Sequence, residues 1–394
     1  MHGDQFRQIA ASVLASLALA CGASAPARAQ RPDSTAFKFT AVFLYDLNTF
    51  GQDTASERQV GSLSTAGHIR TDRYILKGFV RGRLPFHFHV SADVTALERG
   101  GDVGVTVNDF ATIFPVGGSV SVALGRQKEG ATIGIMTSRP LFVFTERPAP
   151  ISAVLPTRND GIRVTGGEAA RARWSIGAFN QALIRHTPFD LASTTGAARV
   201  FTAPVLNDSV AQVVQIGASV RWSGAPNDSL EFKTTPETQE VADFVKTGSF
   251  AASSTVTGGL EGLLQWRSLS MAGEALVTRA AGTDSGGANF GGAYAELSWR
   301  PFGERRVYDA RDGVFGKVRL DGRRPALELA ARYSSTDLDG GVVRGGRFDR
   351  ASVVVSVYGP MATHIEVDYG YGTLWRSNLK GRTQFLTTRM QIGL

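Results

Sequence analysis

Apolar and polar residues alternate with a period of two along most of the chain. Phe37, Phe39, Ala41, Phe43 and Tyr45 interleave with Lys38, Thr40, Val42 and Leu44, which predicts a pleated strand with two unlike faces. The alternation returns at Tyr74, Leu76, Gly78, Val80, Gly82 and Leu84, opposite Lys77, Phe79, Arg81 and Arg83. After a Leu84-Pro85 turn, Phe86, Phe88, Val90 and Ala92 oppose His87, His89, Ser91 and Asp93, so the two segments read as a hairpin with one oily and one polar side. Similar segments lie near 120–124, 172–178, 214–222, 264–266, 327–333 and 365–371, divided by Gly, Asp, Asn, Ser and Pro clusters. No helix of comparable clarity interrupts them.

The pattern leaves open which face is inside. In 293–300, Ala293, Ala295, Leu297 and Trp299 alternate with Tyr294, Glu296, Ser298 and Arg300. A secreted β-sandwich binding protein or adhesin would bury the apolar face in a dry core. A transmembrane antiparallel β-barrel would turn it to lipid and point the polar face into a channel. No stretch after the N-terminus reaches the roughly 18 continuous apolar residues of a membrane helix. A barrel escapes that requirement, because only alternate residues meet lipid while neighbouring strands satisfy the backbone.

The ends of the chain bear on this choice. Arg7, the apolar run Ile9 to Ala20 and the Ala27-Arg28-Ala29 pattern predict an export signal over 1–29, with the barrel domain at 30–394. The one cysteine, Cys21, falls inside that signal, so an exported chain builds no disulfide framework. At the other end Leu386, Met390, Ile392 and Leu394 share a face opposite Arg389 and Gln391, as a closing barrel strand would. At about 20 to 25 residues per strand and turn, the chain has room for about 16 strands.

The charge balance then suggests what a channel would carry. The formal net charge is +7, and the polar faces hold most of the informative positions. Basic residues there are Lys77, Arg81, Arg83, Arg163, Arg171, Arg173, Arg221, Arg267, Arg300, Arg332 and Arg389; acidic ones are Asp93, Glu261, Glu296, Glu328, Glu366 and Asp368. A cationic lumen favours anions over cations. No pattern for nucleic-acid binding accompanies the charge. His87 and His89 share a face without a third ligand, and neither a G-x-S-x-G nor a GxxxxGK[ST] motif occurs, so no metal, cofactor or catalytic role is assigned.

Several stretches together resemble the phosphate-selective porins O and P of Gram-negative outer membranes. They are Gly291–Glu296, Gly303–Asp309, Val314–Val318, LELAARYSSTDLDGG at 327–341 and RGGRFDRASVVVSVY at 344–358. An earlier block comprises Gly125–Lys128, Phe144–Arg147, Arg158–Gly161 and Trp174–Asn180. The resemblance implies a barrel of about 16 strands in outer-membrane lipid, a homotrimer, and a pore narrowed by an infolded third loop bearing cations. That loop should follow the strand ending at Gly125, making Lys128, Arg139, Arg147 and Arg158 candidates for the constriction, with Arg163 on the next strand. The function it implies is a passive anion-selective channel for phosphate or related inorganic anions. A general or differently selective porin would share every barrel feature.

Overall fold

The computed structural model describes residues 36–94, 104–168, 171–182, 192–282, 287–320, 324–360 and 362–393. The expected export signal and Leu394 lie outside the described residues. Sixteen antiparallel strands close into one barrel. They begin with β1 Ala36–Gln52, β2 Ala66–Val80, β3 Phe86–Val94, β4 Val105–Gly117 and β5 Val120–Gln127. Next come β6 Asn159–Glu168, β7 Ala172–Asn180, β8 Thr194–Asn207, β9 Gln212–Gly224 and β10 Ser254–Trp266. The last six are β11 Leu269–Ala281, β12 Ala288–Trp299, β13 Ala326–Gly340, β14 Val343–Tyr358, β15 His364–Arg376 and β16 Leu379–Gly393.

Each strand pairs with its sequence neighbours, and β1 also pairs with β16, from Val42 opposite Gly393 to Gln52 opposite Thr383. That last ladder removes the free edges, so strand backbone groups find partners without water. The period-two pattern then settles the question of sides. Residues on the apolar faces are the exposed ones, including Leu260, Val277, Ile365 and Phe110. Polar residues on the opposite faces, such as Thr278, Ser356 and Asp368, are shielded inside the barrel. No helix among the described residues is long and apolar enough to cross a membrane; the outward strand faces supply the apolar band instead. Trp174, Trp266 and Trp299 stand exposed near one rim, where their amphipathic rings suit the lipid interface.

Connections such as 81–85, 118–119, 208–211 and 267–268 are short and lie at that rim; in outer-membrane barrels short turns mark the periplasmic end. Longer connections at the other rim include 53–65, 128–158 and 225–253. One exception shapes the interior. The connection after β12, residues 300–325, is long although it belongs to the short-turn rim, and it carries a hairpin of strands Arg305–Asp309 and Val314–Arg319.

That hairpin is clamped inside the barrel by charge. Glu328 on β13 is fully buried and meets Arg300 (Nη1 to Oε1, 2.7 Å), Arg306 of the hairpin (Nη2 to Oε2, 2.6 Å) and the Tyr358 hydroxyl (2.6 Å). Removing one partner of a buried ion pair strands the other without solvent. Glu328→Ala leaves two buried guanidiniums uncompensated, so unfolding by urea in detergent should show a loss of about 3–5 kcal/mol. An unchanged midpoint would mean that water replaces the carboxylate.

Candidate functional site: a lumen narrowed by three inserted segments

Residues 128–158, between β5 and β6, leave the wall and cross the lumen. Polar groups hold them at both sides. Thr145 Oγ1 donates to Asp368 (3.0 Å), Arg332 Nη1 donates to the Glu146 carbonyl (3.0 Å), and Arg389 bonds the Thr145 carbonyl. Glu146 itself takes Arg70 and Arg389. Burial alone would raise its carboxyl pKa, but Arg70, Arg139 and Arg389 hold it well below the usual carboxylate range. The short helix Ile133–Met136 is anchored through the Gly134 amide, which donates to Glu274 Oε1 at 2.6 Å. A Cβ at Gly134 would lie 2.9 Å from that same oxygen, so a larger residue there would push the Glu274 carboxylate from its place.

Two other segments complete the filling. From 225–253, Glu237 accepts from Arg332 (2.6 Å), Ser334 (2.6 Å) and the Ala149 amide (2.8 Å), tying this segment to both the first loop and the wall. Phe244 packs against Phe348 and Phe385. From the opposite rim, the 305–319 hairpin reaches Arg199, whose Nη1 donates to the Asp312 carbonyl at 2.7 Å. Its Val314 and Phe315 meet Ile133 and Met136 of the first loop. At its tip, Gly313 has φ 61° and sits so close to the Phe201 ring that a Cβ would clash at 2.6 Å.

The filling is lopsided. Inward residues of β10–β16 are nearly all buried, among them Glu274, Ser298, Arg332, Arg350, Asp368 and Arg389. On β1–β7 the inward faces stay wetter toward the short-turn rim: Lys38, Lys77 and His87 are exposed, while Phe79, His89, Ile113, Arg163 and Arg173 are half-buried. Arg163 and Arg173 border a small cavity with Arg199, Arg311 and Asp312. The aqueous side of the lumen therefore follows β1–β7 and the facing edge of the first loop.

A closed 16-stranded barrel with infolded loops and a cationic wet wall agrees with what the chain matches. The model of the family described as phosphate-selective porin O and P fits residues 43–393. The chain belongs to this family. It is therefore an outer-membrane porin, a channel built on a β-barrel. No curated protein matches it. Among solved structures, an anion-selective porin from Comamonas acidovorans aligns with TM-score 0.58 at 9% identity, covering 92% of this chain and 100% of that one. In-vitro folded OmpT of Vibrio cholerae, in trimer form, aligns with TM-score 0.55 at 10% identity over 92% and 100%. The outer-membrane channel DcaP of Acinetobacter baumannii gives 0.53 at 8% over 94% and 100%. At such identities these likenesses speak to the fold.

Within the porin, the candidate residues separate into groups. Lys128, Arg139, Arg147 and Arg158 all belong to the infolded loop, and Arg163 lies on β6. Lys128 Nζ donates to the Met136 carbonyl (2.7 Å), Arg139 to Thr71 (2.7 Å) and Arg147 Nε to the Gly134 carbonyl (2.6 Å); Arg158 is ion-paired with Asp109 (2.8 Å). Of the wall candidates, Lys77 and Arg173 point into the wet side. Arg221, Arg300, Arg332 and Arg389 face inward but are buried against Glu129, Glu328, Glu237 and Asp46. Arg81, Arg83, Arg171 and Arg267 were expected on strand faces; the structure puts them in the rim turns beyond the strand ends. Gly82, the Arg171 amide bonded to the Glu168 carbonyl and the left-handed φ of Arg267 (54°) mark where the chain reverses. Arg306, in the charged stretch 303–306, is buried in the lumen and not solvated.

Lys38 was absent from the candidates although it faces the lumen. It stands directly opposite Lys77 in the β1–β2 register. The parity of Phe37 to Tyr45 was the signal that could have found it.

Lys128 has an electrostatic property that can be measured. Burial, with Arg158 and Arg147 nearby, pushes its ammonium down to about 7, against weaker support from Asp312 and Asp109. As pH rises through neutrality the loop loses a positive charge. Anion over cation preference should therefore fall between about pH 6 and 8, and the step should vanish in Lys128→Met. Equal steps in both proteins would assign the titration elsewhere.

Proposed function

We propose that this porin is a passive, anion-selective channel that carries phosphate among other small inorganic anions. The observation that carries the reading is the Lys38–Lys77 pair. Like charges placed directly opposite on neighbouring strands repel, yet both ammonium groups are exposed on the inward face and neither has a carboxylate at ion-pair distance among the described residues. Arg163 and Arg173 are likewise without an ion pair among the described residues. Fixed cations along a narrow route stabilise an anion entering it and oppose a cation.

The family's description as phosphate-selective and the anion-selective neighbour support the same direction. Guanidinium groups suit phosphate because their planar donors match its oxygens. The reading includes export through the 1–29 signal, a mature chain from Gln30 and assembly as a homotrimer. The trimer form of the OmpT neighbour is consistent with that assembly.

A fixed charge about 8 Å from the ion path, at an effective dielectric of about 40, is worth about 1 kcal/mol. Lys38→Glu and Lys77→Glu should each lower the anion over cation permeability ratio by about five-fold or more, since the sign of the charge is reversed. Reversal potentials of the purified protein in a planar bilayer under a KCl gradient measure this. Chloride preference with current block by added phosphate is the expected native result. Cation preference in the native channel would refute the reading, and unchanged ratios in both variants would remove the lysine pair from the path.

A further inference from the structure

The wet wall carries more than cations. Read around the barrel in one register row, Phe79 on β2 pairs with His87 on β3, His87 with Ile113 on β4, Ile113 with Ala123 on β5, and Ala123 with Arg163 on β6. The Phe79 and His87 rings are in contact, with centroids 4.6 Å apart and planes tilted by 36°. Lys77 lies two residues from Phe79 on the same inward face, and Lys38 stands beside Lys77. His87 is exposed, while Phe79 and Ile113 are half-buried.

This arrangement departs from what a route for a bare hydrated ion needs. Phosphate gains nothing from an aromatic and aliphatic surface, and leaving that surface against water has a free-energy cost. A solute with an apolar body recovers that cost by covering it. The spacing suits a short amphiphilic anion: two residues along a strand separate the Cα atoms of Lys77 and Phe79 by about 7 Å. That is about the length of a carboxylate joined to a six-membered ring.

We infer that the periplasmic half of the lumen holds a site for carboxylates with an aromatic or apolar body, the charge at Lys38 and Lys77 and the body on Phe79, His87 and Ile113. The inference rests on the anion-channel reading and names its preferred organic solutes. Binding is shallow and reversible, as passage requires: the ammonium pair recruits the carboxylate, and the ring lies along Phe79 and Ile113 before release at the short-turn rim. Arg163, two strands beyond Ile113, offers the next positive charge around the wall.

The test compares benzoate, acetate and phosphate as blockers of chloride current through the purified full-length porin in a planar bilayer. Acetate has the charge without the ring. About 40 Å² of apolar contact corresponds to about a five-fold gain, so benzoate should half-block at a concentration at least about five-fold below that of acetate. Phe79→Ser should bring the benzoate-to-acetate ratio toward one, while Phe79→Leu should keep most of it. Ile113→Ser supplies an independent variant if Phe79→Ser does not form channels, and it should lower the ratio in the same direction. Equal block by benzoate and acetate in the native porin overturns the site. A benzoate advantage that survives in the serine variants also overturns it, since the ring then binds elsewhere. Failure of the parent reading looks different, because the native channel would then lack chloride preference under the KCl gradient before any organic anion is added.

Discussion

Buried charge must be paired, and inside this barrel that requirement decides where the loops go. A guanidinium removed from water costs several kcal/mol unless a carboxylate and further hydrogen-bond acceptors meet it. Arg300, Arg332 and Arg389 are buried on one side of the lumen, and each meets a carboxylate. Some of these partners come from the wall, such as Glu328 and Asp46; others, such as Glu237 and Glu146, come from inserted segments. The ion pairs are thus joints between loop and wall as much as charge compensation. Apart from the 305–319 hairpin, the infolded segments have only short helices and two-residue strand pairs of their own, and side-chain and carbonyl contacts to the barrel take the place of a longer backbone ladder.

The same pairing creates the functional asymmetry. Carboxylates are consumed where β10–β16 and the three segments meet. Along β1–β7 the acidic groups that remain near the route, Asp93 and Asp109, are also engaged, by Arg73 and Arg158. The excess positive charge is left on the wet wall at Lys38, Lys77, Arg163 and Arg173. The net charge of the chain, +7, says little by itself about selectivity. What matters is that the neutralised arginines are buried under the inserted segments while the unpaired cations stay on the wetter stretches of β1–β7.

The barrel was legible in the sequence because its governing pattern is local. Side chains two apart share a face whatever the rest of the chain does, so the outward positions of Phe37, Tyr74, Ile176 and Tyr333 followed from parity, as did the inward ones of Lys77 and Arg332. Strand ends were less legible. Turn geometry, not hydropathy, ends β2 before Arg81 and β10 before Arg267, and the alternation continues briefly past each boundary. Infolding was the least legible feature. Whether Arg389 conducts or is neutralised depends on Asp46 and Glu146, far away in the sequence, and no local period records that contact. The hairpin at 305–319 carries no local sign of its infolding; contacts with Glu328, Gln265 and Arg199 hold it inside the barrel.

Charge and hydration then act on a permeating solute in different ways. A cationic wall selects the sign of the solute, and a small, strongly hydrated anion responds to little else. The row from Phe79 to Ile113 interrupts this wall with surface that water solvates poorly, next to two lysines whose mutual repulsion any bound anion relieves. A solute that is both anionic and apolar satisfies both conditions at once, because its charge lowers the lysine repulsion while its body displaces water from the rings. Selection among anions can therefore arise from a few apolar side chains set beside unpaired cations, without a closed pocket and without any change to the barrel that presents them.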